Sequence, residues 1–347
     1  MVDLRQFVAA LTAMATMSFA HADESTLYIA WQGGSREKVM KDFVFPRFAA
    51  KHPQVRLQYV AGVSTEILAK LQAQRANQDI DVAVLDDGPM YQASSAGLCS
   101  KDSPTSAKEN LYPIAKMPGA NAIGIGVVAT GLAYNTKIFA ERGWPAPTSW
   151  RDIEDPKYRG KLGMLSISNT YGVHTLVMAA KANGGSETNV EPGFAALTQK
   201  VSPNVQAWVQ TAGNLSSAFQ SGELALAVWG NGRTLALAAT GFPIAFVYPK
   251  EGAVATMIAA CVVEKKNPSP LAKEFVQFLL GPEVQRALAE EEGLAPVNRD
   301  TKVSEATAKL IPLGDAKMNA LVLMDWRVAN QNRVGWTRRW MREVEKK

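Results

Sequence analysis

Cysteine and histidine are scarce: the 347-residue sequence holds two cysteines, Cys99 and Cys261, and three histidines. Two cysteines allow at most one bridge, which excludes a disulfide-scaffolded fold, and three histidines leave little for a histidine-based metal centre. Long apolar runs are missing as well. Beyond residue 22 no segment reaches about 18 uninterrupted apolar residues, the minimum for a membrane-spanning helix. Neither sign of charge dominates, because 37 basic residues against 32 acidic ones leave a net charge of +5. That charge is scattered rather than striped, so no nucleic acid is expected as a partner. What the chain does have is a globular composition, 47% hydrophobic and 20% charged. Its length accommodates two domains of roughly 150 residues each.

Catalytic signatures are absent too: there is no Walker loop, Gly-x-Ser-x-Gly elbow, His-Glu-x-x-His or Cys-x-x-Cys. Gly124-Ile125-Gly126-Val127-Val128-Ala129 formally matches a dinucleotide fingerprint. The fingerprint needs a helix opening at its glycines, whereas this run is β-branched and continues as extended chain. The expectation is a protein that is not an enzyme, with no cofactor, no metal and no catalytic residue.

Arg5 precedes an uncharged apolar stretch from Phe7 to Ala20, and Ala20-His21-Ala22 offers a small-x-small cleavage site before Asp23. The stretch is too short to cross a bilayer core of about 30 Å but fits an export signal. Residues 1–22 are read as a signal peptide cleaved after Ala22. With no cysteine near that point to carry a lipid, the mature chain is expected free in the periplasm. In that oxidising compartment Cys99 and Cys261 are either joined or remain two buried thiols.

From residue 27 onward strands alternate with helices. Residues 27–31 end at Trp31 before a Gly33-Gly34-Ser35 turn, and residues 55–60 run towards Ser64 and Thr65. Residues 82–85 run into Asp86-Asp87-Gly88-Pro89. The pattern implies an α/β fold with a mixed, mostly parallel sheet flanked by helices, in which ligands sit at the carboxyl ends of the strands. All three turns lie at that edge. The β-like run 123–135 crosses into a second α/β region, and residues 244–248 return to the first. Residues 23–128 and 250–315 are thus expected as one discontinuous lobe and residues 129–249 as the second. Residues 316–347 form a C-terminal helical segment docked on a lobe. In that segment Trp326, Ala329, Arg333, Trp336 and Trp340 recur at helical spacing, a face expected to pack rather than to bind a cofactor.

Four further segments follow a known order. They are Thr148-Ser149-Trp150 with Asp155-Pro156-Lys157-Tyr158-Arg159-Gly160-Lys161-Leu162, and Gly222-Glu223-Leu224 through Val228-Trp229-Gly230-Asn231-Gly232. Then come Tyr248-Pro249-Lys250-Glu251-Gly252 and Phe278-Leu279-Leu280-Gly281-Pro282-Glu283-Val284. On these the chain resembles the spermidine/putrescine-type periplasmic binding proteins, of the type II periplasmic binding protein superfamily, over nearly all of its mature length. The resemblance implies two lobes that close by a hinge around one small-molecule ligand. It also implies a monomer that hands this ligand to the permease subunits of an ABC importer in the inner membrane.

The chain departs from that family where a polyamine would be held. The family places a tryptophan and an aspartate shortly after the Lys-Glu-Gly turn, where this chain has Thr256 and Ile258. It places acidic residues where this chain has Asn169, Thr170 and Tyr171. A polyamine would lose its main counter-charges, and burying an unpaired ammonium is costly. Trp229 remains of the aromatic box, with a place in the core as its alternative. Arg233 offers a planar fork suited to a carboxylate or phosphonate. Ser35, Ser64 and Thr65 stand at helix starts, where backbone N–H groups favour an anion, and Asp86 and Asp87 suit an amine. With Trp31, Gly34 and Tyr248 at the strand ends, these residues make up the expected ligand site. Its ligand is expected to be a small zwitterionic or anionic solute: amino-acid-like, an aminophosphonate or a carboxylate. A polyamine, a ferric ion or a periplasmic enzyme activity are the alternatives, and the ferric ion would need paired tyrosines that the Tyr171 region lacks.

Overall fold

The computed structural model describes residues 25–104 and 110–345. The export signal and its cleavage point lie outside the described residues. Nine strands form one mixed sheet: β1 (Ser25–Trp31), β2 (Val55–Ala61), β3 (Val82–Asp86), β4 (Ile123–Asn135), β5 (Leu162–Leu165), β6 (Val205–Val209), β7 (Leu226–Gly230), β8 (Ile244–Val247) and β9 (Val254–Val262). Their order is β2-β1-β3-β9-β4-β7-β5-β6, with β8 alongside β4. β1, β2 and β3 pair in parallel, as do β5, β6 and β7. Among the named strands, each antiparallel pairing involves one of the two crossing strands, β4 or β9.

β4 is the link between two halves. It is buried along almost its whole length, as its β-branched and small residues require of a strand covered on both faces. Its first part pairs with β9 and its second part with β7 and β8. Two apolar cores flank this link. Leu27, Ile29, Phe48, Val84 and Phe275 belong to the first. Trp150, Tyr158, Leu176 and Trp340 belong to the second, which a smaller cluster around Phe219 and Trp229 extends.

Two of the segments that carry the family resemblance fasten onto each other. The Glu251 carboxylate accepts from Ser149 Oγ and from Trp150 N, and the Trp150 indole donates to Gly252 O at 2.9 Å. The turn before β9 is therefore pinned to the start of the second lobe. Cys99 and Cys261 form a disulfide with Cα atoms 5.7 Å apart, 162 residues apart in sequence. Both ends lie in the first core, so the bridge spans the whole inserted second half.

The C-terminal helix Trp326–Glu343 is capped by Asp325, whose carboxylate accepts from Val328 N at 3.1 Å. Trp326, Ala329, Trp336 and Trp340 are buried in the second core, as their spacing predicts. The helix also reaches the first half. Asn330 Nδ2 donates to Gly88 O at 3.1 Å, and Gln92 Nε2 donates to Asn330 Oδ1 at 2.8 Å. Gly88 is needed at this crossing, since a Cβ there would stand 2.5 Å from Trp326 Cζ3.

Candidate functional site

Between the two halves lies a cavity of about 410 Å3, within the size range of small-ligand pockets. Gln32, Gly34, Arg36, Ser64 and Asp86 line it from one half. Asn169, Thr170, Tyr171, Gln210 and Arg233 line it from the other. Val128, Thr256 and Ile258 form its floor from the crossing strands. Thr256 and Ile258 are two apart on β9, so the pleat turns both to the same side.

Helices that open on this cavity include Ser64–Ala73, Thr170–Ala182 and Ala212–Gln220. Ser64 and Thr65, Thr170, and Gly213 in their first turns are among the lining residues. The first four N–H groups of a helix have no intrahelical acceptor, and the helix dipole adds positive potential there. Asn169 caps one of these starts by accepting from Tyr171 N at 3.0 Å. The cavity thus presents several backbone donors to whatever enters it.

Charge is arranged in unequal pairs. Arg36 Nε lies 3.5 Å from the Glu292 carboxylate, both side chains being buried, and Arg36 Nη1 donates to Gln32 Oε1 at 2.8 Å. Arg233 makes no hydrogen bond or ion pair among the described residues. Burial lowers the pKa of its guanidinium from the usual value, and the nearby Arg36 pushes in the same direction. Across the cavity, Asp86 Oδ2 accepts from Thr170 Oγ1 at 3.0 Å and Oδ1 from Gln32 Nε2 at 3.3 Å. Burial pushes the Asp86 carboxyl up, opposed first by Arg36. Burial likewise raises the Tyr171 phenol. An unpaired guanidinium on one side and a carboxylate bonded only to neutral donors on the other can bind opposite charges at the two ends of one molecule.

The structure brings together Gly34, Ser64, Thr65, Asp86, Asn169, Thr170, Tyr171, Arg233 and Thr256 around this cavity. Ser35 is exposed at the adjoining turn. Four expected contacts lie elsewhere. Trp31 is fully buried beneath the Arg36 guanidinium, 5.2 Å from its ring centre. Trp229 is buried with its ring stacked 5.8 Å from Phe219, in the place its position between a strand and Gly230 left open as the alternative. Tyr248 is 43% exposed, packed edge-on against Phe246. Asp87 points to the opposite side of the sheet from Asp86 and accepts from Met257 N at 3.2 Å.

Gln32, Arg36, Gln210, Thr211 and Gly213 line the cavity without having been expected there. For the last three a signal exists: Val205-Gln206-Ala207-Trp208-Val209 alternates as a strand, and Thr211-Ala212-Gly213 then reads as a helix start. Arg36 carries no such signal, because a basic residue in a first helical turn looks like any solvated one.

Residues 44–311 match the family described as bacterial extracellular solute-binding protein. The chain is 29% identical over 191 residues to the spermidine/putrescine-binding periplasmic protein of Escherichia coli strain K12, covering 54% of this chain and 50% of that protein. The chain therefore spans about half the length of that relative. It is 24% identical over 258 residues to a putative 2-aminoethylphosphonate-binding periplasmic protein of Salmonella typhimurium, covering 72% of each. Its fold is that of an ABC transporter substrate-binding protein from Bradyrhizobium japonicum, with a TM-score of 0.77 at 19% identity over 92% of this chain and 100% of the other.

Proposed function

The chain belongs to the bacterial extracellular solute-binding proteins, and we propose that it is the periplasmic substrate-binding component of an ABC importer. In this reading residues 1–22 direct export and are removed after Ala22. The mature monomer captures a small zwitterionic or anionic solute, amino-acid-like, an aminophosphonate or a carboxylate. It releases that solute unchanged to the permease.

Arg233 carries the reading. It is a cation lining the cavity with no hydrogen bond or ion pair among the described residues, so an anionic group would supply its missing partner through charge-assisted hydrogen bonds. The helix starts at Ser64 and Thr170 would take further oxygens of the same group. Asp86, on the other side of the cavity, suits an amine. The Salmonella relative is named for 2-aminoethylphosphonate, a molecule with this pair of charges. A polyamine has no anionic end for Arg233, and Thr256 and Ile258 on the floor offer it no charge. A ferric ion finds one tyrosine in the lining, Tyr171, and no group of three His, Cys, Asp or Glu among the described residues. Contacts from both lobes would favour the closed form, so ligand shifts the hinge equilibrium.

The test is calorimetry and thermal shift on the mature chain with amino acids, aminophosphonates, dicarboxylates, polyamines and ferric citrate. Binding by a zwitterion or anion, abolished in Arg233→Ala, is expected. Mass spectrometry should recover that compound unaltered. Stabilisation by putrescine or spermidine alone overturns the ligand class, and a consumed compound overturns the binding role.

A further inference from the structure

A second cavity, of about 430 Å3, lies behind the crossing strand β9. Met257 and Ala255 line it, whereas Thr256 and Ile258 line the first, so the two cavities stand back to back across one strand. Asp86 and Asp87 divide in the same way, one carboxylate to each.

The walls are apolar and soft. Met117, Met257 and Met324 are buried there, and Trp326 and Tyr91 add aromatic rings. Asp87 is the one acidic residue in the lining and is 7% exposed. It accepts from Met257 N at 3.2 Å and from Gly88 N at 3.1 Å, and it pairs with no cation among the described residues. Lys116 also lines the cavity but is exposed. A carboxylate set among thioethers and aromatic rings without a counter-ion is an unfavourable burial. A guest ammonium would complete it, beside the Trp326 and Tyr91 rings that also line the cavity. Burial already pushes the Asp87 carboxyl up to about 7.

We propose that this cavity is a second ligand site, separate from the cleft, for a small primary ammonium bearing an apolar aryl or alkyl group. The ammonium binds Asp87 and the apolar part lies on the methionines. Methionine side chains adapt to varied shapes, so the site selects by charge and apolar character rather than by outline.

The probe is 2-phenylethylammonium, compared by calorimetry and tryptophan fluorescence with its neutral counterpart 2-phenylethanol, on the mature chain. The wild type should bind the ammonium at least about 10-fold more tightly than the alcohol, the effect of one charge-assisted bond. Asp87→Asn should remove that preference, and Asp86→Asn should keep it. Leu323→Trp, at an exposed position lining the same cavity, should weaken binding whether or not Asp87→Asn folds. The proposal is overturned if the wild type does not bind the ammonium or does not prefer it. It is equally overturned if Asp86→Asn is the variant that removes the preference, which places the probe in the cleft, or if Leu323→Trp binds as the wild type does.

Discussion

Thr170 Oγ1 donates a hydrogen bond of 3.0 Å to Asp86 Oδ2, joining the first turn of a helix in the second lobe to the end of β3 in the first. The acceptor is the same carboxylate that suits a ligand amine. Asp86→Asn keeps an oxygen for Thr170 but loses the charge. Affinity for a zwitterion should fall about 10- to 100-fold, the worth of a hydrogen bond to a charged group. Affinity for a simple anion such as methylphosphonate should change little. Calorimetry on both ligands checks the contrast, and equal losses would remove the amine from Asp86.

Arg233→Ala should abolish measurable binding of an anionic ligand while leaving the unliganded protein as stable or slightly more so. The reason is that a buried cation without a partner is a liability until ligand arrives. Arg233→Lys restores charge but not the planar fork, so recovery should be partial. Melting temperatures without ligand and dissociation constants with it separate the two effects.

His174 and Asp87 predict opposing pH responses. His174 is buried with Nδ1 3.0 Å from Thr130 Oγ1, and burial, with Arg333 nearby, holds its imidazole down at about 3. Its folded value lies below the ordinary 6.5, so its contribution to stability is present above 6.5 and is lost as pH falls. Asp87 is pushed up from 3.8 to about 7, so its contribution is full below 3.8 and is lost as pH rises. Between about pH 4 and 6.5 the slopes offset each other. Burial raises the Asp86 carboxyl in the same direction, so Asp87→Asn combined with Asp86→Asn should expose the histidine, with stability falling by up to about 1.4 kcal/mol per unit as pH drops through that window. Urea unfolding at several pH values measures it, and a flat profile in the variant contradicts the assignment.

Gly88→Ala should destabilise the protein by about 1–3 kcal/mol, because the new methyl meets the Trp326 ring and neither helix can withdraw without losing the Asn330 bonds. Thermal unfolding checks this, with Gly241→Ala, where a Cβ would meet nothing within 4 Å but φ is +85°, as a strain-only comparison. A cost at Gly88 no greater than at Gly241 would remove the packing argument.

Cys99→Ser with Cys261→Ser should lower stability by about 5 kcal/mol if chain entropy dominates, given the 162-residue separation. A loss below about 1 kcal/mol would show that the unfolded chain gains little freedom when the bridge is removed.

The sequence made β4 legible as a strand because β-branched and small residues run unbroken through 123–131, a pattern that fits a strand covered on both faces. It also made the C-terminal tryptophan face legible, since helical spacing of large apolar groups has one economical explanation. The cavity was legible where a residue stood at a strand end or helix start, as Ser64, Asp86 and Thr170 do. It was not legible at Arg36, which is held at the cavity by Gln32 and by Glu292, the latter from a helix far along the chain. Nor could the sequence separate Asp86 from Asp87, because a strand end turns adjacent side chains to opposite faces and only the surrounding packing says which face is which.

The disulfide has a consequence for how the molecule is made. Its first sulfur is synthesised long before its second, and every strand from β4 to β8 is made in the interval. The staple can be set only after that inserted segment has already been delivered. The first lobe is thus finished last, although its opening strand arrives first.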